Sequence, residues 1–310
     1  MGKILVVGSS NTDLIATVKS FPTAGETIVG KSFLQAMGGK GANQAMAAHK
    51  SGGDVRFITC LGNDYNGQNA LKYYKEEGLD ASLSLIVDEV PSGTAIILVD
   101  DNGENCIIIT PGANNMLSPS YIHEIEEEIK NSDLIILQME IPYATVRTVC
   151  EIASANNTKV LLNVAPAKAL DAELLSKIDI LIVNETEAET ITGKSLDDTG
   201  AEAMVDYLLA MGAGTVVLTL GKNGSLFKNR QNIYSIPAFN VETLDSTGAG
   251  DTFCGALAAE LSRGNNWEDA LWYATAASAI CVTRMGAQPS IPSEYEVREF
   301  LSRNKVLVTF

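Results

Sequence analysis

The stretch "DSTGAGDTFCGALAAELSRG", residues 245–264, sets small residues and glycines ahead of a helix-spaced apolar run. Phe253, Leu257 and Leu261 mark one helical face, and Gly264 supplies the stop. The loop before the helix is expected to offer the backbone N–H groups of Thr247, Gly248, Ala249 and Gly250 to an anion. Phosphate loops commonly carry a lysine, but this one ends in Asp251. A carboxylate there can take the proton of an attacking hydroxyl while the N–H groups absorb charge on a transferring phosphoryl group. The alternative is an aspartate that only caps the helix.

Outward from this stretch, short apolar runs recur: "KILVVG", "VRFITCLG", "LIILQME", "KVLLNVAP", "ILIVNE" and "TVVLTLG". Helix-spaced segments separate most of them. In one, Ser118 can cap, Pro119 suits the first turn, and Ile122, Ile125 and Ile129 share a face through Asn131. The pattern predicts an α/β fold with a doubly wound, mostly parallel sheet between helices. Residues 13–37 and 92–111 break the rhythm with alternating strands and turn signals, the second reading as a hairpin around "DDNGEN". They predict a small separate sheet, a lid or oligomer contact, inserted in one domain spanning residues 1–310.

The net charge of −16, from 38 acidic against 22 basic residues, argues against nucleic-acid and membrane-surface partners. Cys60, Cys106, Cys150, Cys254 and Cys281 form no CxxC pair, and several lie in apolar runs such as "CIIIT". Buried free thiols and a reducing compartment follow. The first apolar run is too short for a signal peptide, so a cytoplasmic protein is expected. His49 and His123 lack the neighbours of a zinc site.

Asn11 and Asp13 follow the first strand, where ligands of open parallel sheets bind; turn chemistry is the rival reading. "GGKGANQA", residues 38–45, combines close-approach glycines with a helix start, and it is not a Walker loop because Gly41 follows Lys40. Glu140 and Asn184 end strands, and "NETEAE" opens a helix whose dipole Glu187 and Glu189 complement. "TLGKNG", residues 219–224, could receive a nucleotide or simply turn a hairpin. "CVTRMGAQPSIP", residues 281–292, is a constrained loop whose carbonyls could serve a cation or an adenine pocket.

With "GSSNTDL" and "PTAGET", these motifs resemble the phosphofructokinase B-type carbohydrate kinases, in family order from Gly8 to Pro292. "NETEAE" and "VTRMGAQPS" resemble the ribokinase branch in particular. The resemblance implies a ribokinase-like fold with a β-sheet lid, and ATP-dependent phosphorylation of D-ribose at O5. It implies sugar contacts at Asn11, Asp13, Gly39, Lys40, Asn43 and Glu140, with Asp251 as base and Gly248, Ala249 and Gly250 as anion hole. On the ATP side it implies Asn184, Thr219, Gly221, Gly224, Gly250 and Thr275. An activating K⁺ would sit among Asp245, Thr247, Cys281, Arg284, Gly286 and Ser290; Mg²⁺ would arrive with ATP, and a homodimer would form through the lid. Ser10 and Thr12 stand where the family varies, which leaves the choice among close pentoses open. The alternatives are a kinase for deoxyribose, another sugar or a nucleoside, or a non-catalytic sugar or nucleotide sensor. A dinucleotide dehydrogenase is disfavoured because the first strand ends in "GSSNTD" rather than GxGxxG.

Overall fold

Alternate residues of the first strand pack to opposite sides, Ile4 and Val6 into one apolar core and Leu5 and Val7 into another. A strand buried on both faces must lie inside a sheet covered by helices on each side. The computed structural model, which describes residues 2–304, has that arrangement.

The strands in chain order are β1 (Lys3–Val7), β2 (Asn11–Thr17), β3 (Ser32–Gly38), β4 (Asp54–Ile58), β5 (Cys60–Gly62), β6 (Leu85–Val87), β7 (Gly93–Val99), β8 (Asn105–Thr110), β9 (Leu134–Leu137), β10 (Lys159–Asn163), β11 (Ile180–Asn184), β12 (Thr215–Thr219), β13 (Ser225–Asn229) and β14 (Ile233–Ile236). The main sheet runs β14-β13-β12-β11-β10-β9-β1-β4, parallel from β4 to β12 and antiparallel at the β13-β14 edge. "TLGKNG" is therefore a hairpin turn between β12 and β13.

A second sheet, β3-β2-β7-β8, takes the early strands and the "DDNGEN" hairpin. Phe33, Ile96 and Ile108 leave much of its apolar surface exposed. Cys106 lies on β8 and is exposed, unlike the other four thiols; an edge strand with no covering layer cannot bury it.

Two helical expectations change. The 118–131 helix forms with its Ser118 cap but breaks at Ile125 into Pro119–Glu124 and Glu126–Lys130. The helix Ala249–Ser262 has no solvated face, because every residue from Asp251 to Glu260 is buried. It packs between the helices Lys40–Lys50 and Trp267–Cys281, and its small residues permit that. At Gly255, a Cβ would stand 2.4 Å from the Gln44 carbonyl and 2.6 Å from Ala47 Cβ. This close approach fixes what faces Asp251.

Candidate active site

Parallel strands deliver their carboxyl ends to one edge, so polar residues just past β1, β9, β10, β11 and β12 converge there. Ser9 and Ser10 follow β1, Gln138 and Glu140 follow β9, and Asn163, Asn184 and Thr219 end the next three strands. Asn11 and Asp13 open β2, in the second sheet, so the chain passes from the main sheet to the small one here.

Asp251 is buried and accepts from Asn43 Nδ2 and Gln44 Nε2, each at 2.9 Å. Gln44 Nε2 also donates to Asn163 Oδ1 at 3.0 Å, and its Oε1 accepts from Gln138 Nε2 at 2.8 Å. With both ends of the amide committed, Gln44 cannot turn away, and together with Asn43 it holds both carboxylate oxygens of Asp251 from the Lys40 helix. Glu140 is anchored by the Ser9 hydroxyl at 2.6 Å and the Lys40 N–H at 3.1 Å. The glycines at the start of the helix allow this packing: a Cβ on Gly41 would meet the Gly8 carbonyl carbon at 2.5 Å, and the N-cap Gly39 has φ 88°.

Asp13 differs from its neighbours. It is buried, and its carboxylate accepts no hydrogen bond from the described residues. Burial, then the nearby charges of Glu140 and Asp251, push its pKa from 3.8 to about 7, against an opposing pull from Lys40. Lys40 is held above the usual lysine range, chiefly by Asp251 and further by Glu140 and Glu187, despite burial. Beside these groups lies a cavity of about 250 Å³ lined by Asn11, Ile109, Asn114, Glu140 and Lys168. A wider groove of about 700 Å³ opens at the other end of the sheet, remote from these carboxylates.

The 245–250 loop leaves fewer N–H groups free than the sequence reading expects. Thr247 N–H goes to Asp245 Oδ1 at 2.9 Å and Ala249 N–H to Ser246 O at 3.2 Å, so the loop closes on itself at those two positions. Among the described residues, the N–H groups of Gly248 and Gly250 find no acceptor. Gly248 has φ 77°, a conformation that favours glycine, and it is the residue on which the helix starts.

Of the residues the resemblance puts on the ATP side, Asn184 has a structural role of its own. It forms a capping box with Glu187, its Nδ2 finding no acceptor among the described residues, while Glu189 instead holds the Leu196 N–H at 2.8 Å. Thr219 bonds the Val183 carbonyl at 3.3 Å, and Gly224 is required because a Cβ would stand 2.0 Å from Ile236 O. Gly221, φ 52°, has open space beside it, and Thr275 is buried with its hydroxyl on Leu271 O at 2.8 Å. Asp245 joins two loops, since its carboxylate accepts from Thr247 N–H and from Gly286 N–H at 2.8 Å. Ser290 Oγ sits 3.0 Å from Cys281 Sγ, and Arg284 points away to Glu296.

Sequence reading missed Gln44, Gln138, Asn163 and Asn114. Gln138 and Asn163 carried the same signal as Glu140, a polar side chain at the exit of a buried strand.

The profile of the pfkB family carbohydrate kinases matches residues 1–294. A ribokinase of Haemophilus influenzae is 40% identical over 299 residues, which cover 96% of this chain and 98% of that protein. A deoxyribokinase of Salmonella typhimurium is 36% identical, covering 97% of this chain and 99% of its own. The structure of Arabidopsis thaliana ribokinase complexed with ribose and ATP superposes with a TM-score of 0.90 at 31% identity, covering 97% and 98% of the two chains. Among the described residues no helix is long and apolar enough to cross a membrane. The chain belongs to the pfkB family of carbohydrate kinases.

Proposed function

We propose that this chain is an ATP-dependent sugar kinase that transfers the γ-phosphoryl group of ATP to O5 of D-ribose. The observation that carries the sugar reading is Asp13, a buried carboxylate with no donor among the described residues, beside the Asp251 cluster. A sugar hydroxyl supplies the donor it lacks, whereas a second anion would worsen the repulsion already present. Asn11, Gly39, Lys40, Asn43 and Glu140 would complete the sugar contacts.

Asp251 takes the proton of the attacking hydroxyl as that oxygen bonds to the γ-phosphorus and the bond to the ADP oxygen breaks. Gly248 and Gly250 N–H groups receive the charge on the transferring group, with Ala249 shaping the turn between them. Asn184, Thr219, Gly221, Gly224 and Thr275 would border the nucleotide. Mg²⁺ would arrive on the ATP phosphates.

A potassium ion would sit at the junction of the 245–247 and 281–290 loops, which Asp245 ties together through the Thr247 and Gly286 N–H groups. Backbone oxygens of Asp245, Thr247, Cys281, Arg284 and Gly286, with Ser290, would hold it. When bound, the ion would supply positive charge beside the phosphate loop. The main sheet and lid would act as one domain, working in the cytoplasm, and the exposed apolar lid surface would pair two copies of the chain. A mass measurement at micromolar concentration giving only monomer would remove the dimer.

The test is ATP consumption across ribose, deoxyribose, hexoses and nucleosides, with and without KCl. D-ribose is expected to give the highest kcat/KM, raised by potassium. A preference for deoxyribose, the second reading supported by the deoxyribokinase relative, or for a nucleoside would reassign the substrate. Absence of any phosphotransfer would make the chain a sensor.

A further inference from the structure

Asn114 closes a chain of hydrogen bonds whose direction is set by a backbone amide. Ser10 N–H donates to Asn114 Oδ1 at 2.9 Å, which fixes the side-chain amide, because a backbone N–H can only donate. Asn114 Nδ2 then donates to Ser10 O at 3.1 Å and to Asn11 Oδ1 at 2.8 Å. Both Nδ2 hydrogens are spent, and Asn11 must turn its own Nδ2 away from Asn114. The Ser10 hydroxyl is itself held 2.6 Å from the buried Tyr74 hydroxyl, so the reference point does not drift.

The floor under this pair is Gly93, opposite Asn11 in the lid sheet. A Cβ there would stand 2.2 Å from Asn114 Nδ2 and 2.3 Å from Asn11 Oδ1. Asn11 and Asp13 lie two apart on β2 and therefore on one face of the strand.

We infer that Asn114 is a positioning residue that makes Asn11 a hydrogen-bond donor to the substrate, beside the acceptor Asp13. The site thus reads a hydroxyl oxygen at Asn11 and a hydroxyl hydrogen at Asp13, a polarity that suits a polyol and disfavours a group that can only donate at Asn11. This rests on the reading of Asn11 as a sugar contact.

Asn114→Asp keeps the acceptor for Ser10 N–H but places an oxygen against Asn11 Oδ1, so the Asn11 amide must turn and present its oxygen to the sugar. The expected result is a sugar KM raised roughly tenfold or more, with the ATP KM within about twofold, since a lost polar contact in a site built for it weakens binding selectively. Gly93→Ala is expected to act in the same direction through the same pair. In an Asn11→Ala background, Asn114→Asp should have little further effect on sugar KM, which a general loss of folding would not produce. A sugar KM unchanged in folded Asn114→Asp, or effects that simply multiply with Asn11→Ala, would overturn the inference. If Asn11→Ala alone leaves sugar KM unchanged, the underlying sugar-contact reading falls instead.

Discussion

Gln44 holds Asp251 across a helix interface, its Nε2 lying 2.9 Å from Oδ1 while its own Oε1 is held by Gln138. The proposed base is thus aimed by a neighbour whose two amide ends are both tied down. Gln44→Leu removes a donor from a buried carboxylate and leaves Gln138 Nε2 and Asn163 Oδ1 without this partner. Turnover is expected to fall roughly tenfold, as for a hydrogen bond worth about 1.5 kcal/mol to a charged group. Steady-state kinetics at saturating sugar and ATP would check it.

Asp13 predicts a pH dependence. The residue ionises near 3.8 when unfolded and near 7 in the fold. Between those values the folded state keeps a proton that the unfolded state has lost, so this residue's contribution to stability falls as pH rises and levels off above about 7. Sugar binding runs the other way, because the ionised carboxylate is the better acceptor. Sugar KM should therefore decrease as pH rises through about 7, and Asp13→Asn should flatten that profile. At pH 8 the same variant should melt higher, by roughly 2 °C per kcal/mol of relieved burial, while binding sugar more weakly.

Gly255→Ala tests the helix contact behind the site. The new Cβ would enter the Gln44 carbonyl at 2.4 Å, so the two helices must separate. A loss of about 1–3 kcal/mol of stability is expected, with a fall in kcat because Asn43 and Gln44 move with their helix. Denaturant melts and kinetics on the same sample would reveal both.

Much of this was readable from the residues. Strand alternation with helices gave the doubly wound sheet, and the glycines of residues 245–251 gave the loop that opens the Ala249–Ser262 helix. The buried residue pairs were not readable, because which side chain meets Asp251 depends on how closely two helices approach. That distance is set by Gly255 against Gln44, 211 positions apart in the chain. Likewise, the spacing of "STGAG" cannot show that Thr247 N–H closes on Asp245 and is lost to a ligand. The exposure of Cys106 was not readable because "CIIIT" reads as core, and only the position of β8 at the edge of the small sheet leaves it in solvent.

Asp245→Asn tests the cation junction. An amide cannot accept at both ends, so either the Thr247 or the Gly286 N–H loses its partner. The potassium concentration needed for half-maximal activation is expected to rise several-fold, or activation to vanish, with the sugar KM less affected. A KCl titration of initial rates, at constant ionic strength, would decide it.

The most direct test of the whole account is Asp251→Asn, assayed for turnover with D-ribose and, separately, for nucleotide binding by calorimetry. Loss of a general base predicts kcat lower by roughly 10²–10⁴-fold with ATP affinity within about twofold of the parent. Turnover within a few-fold of the parent, with ATP binding intact, would contradict the assignment of Asp251 and the mechanism built on it.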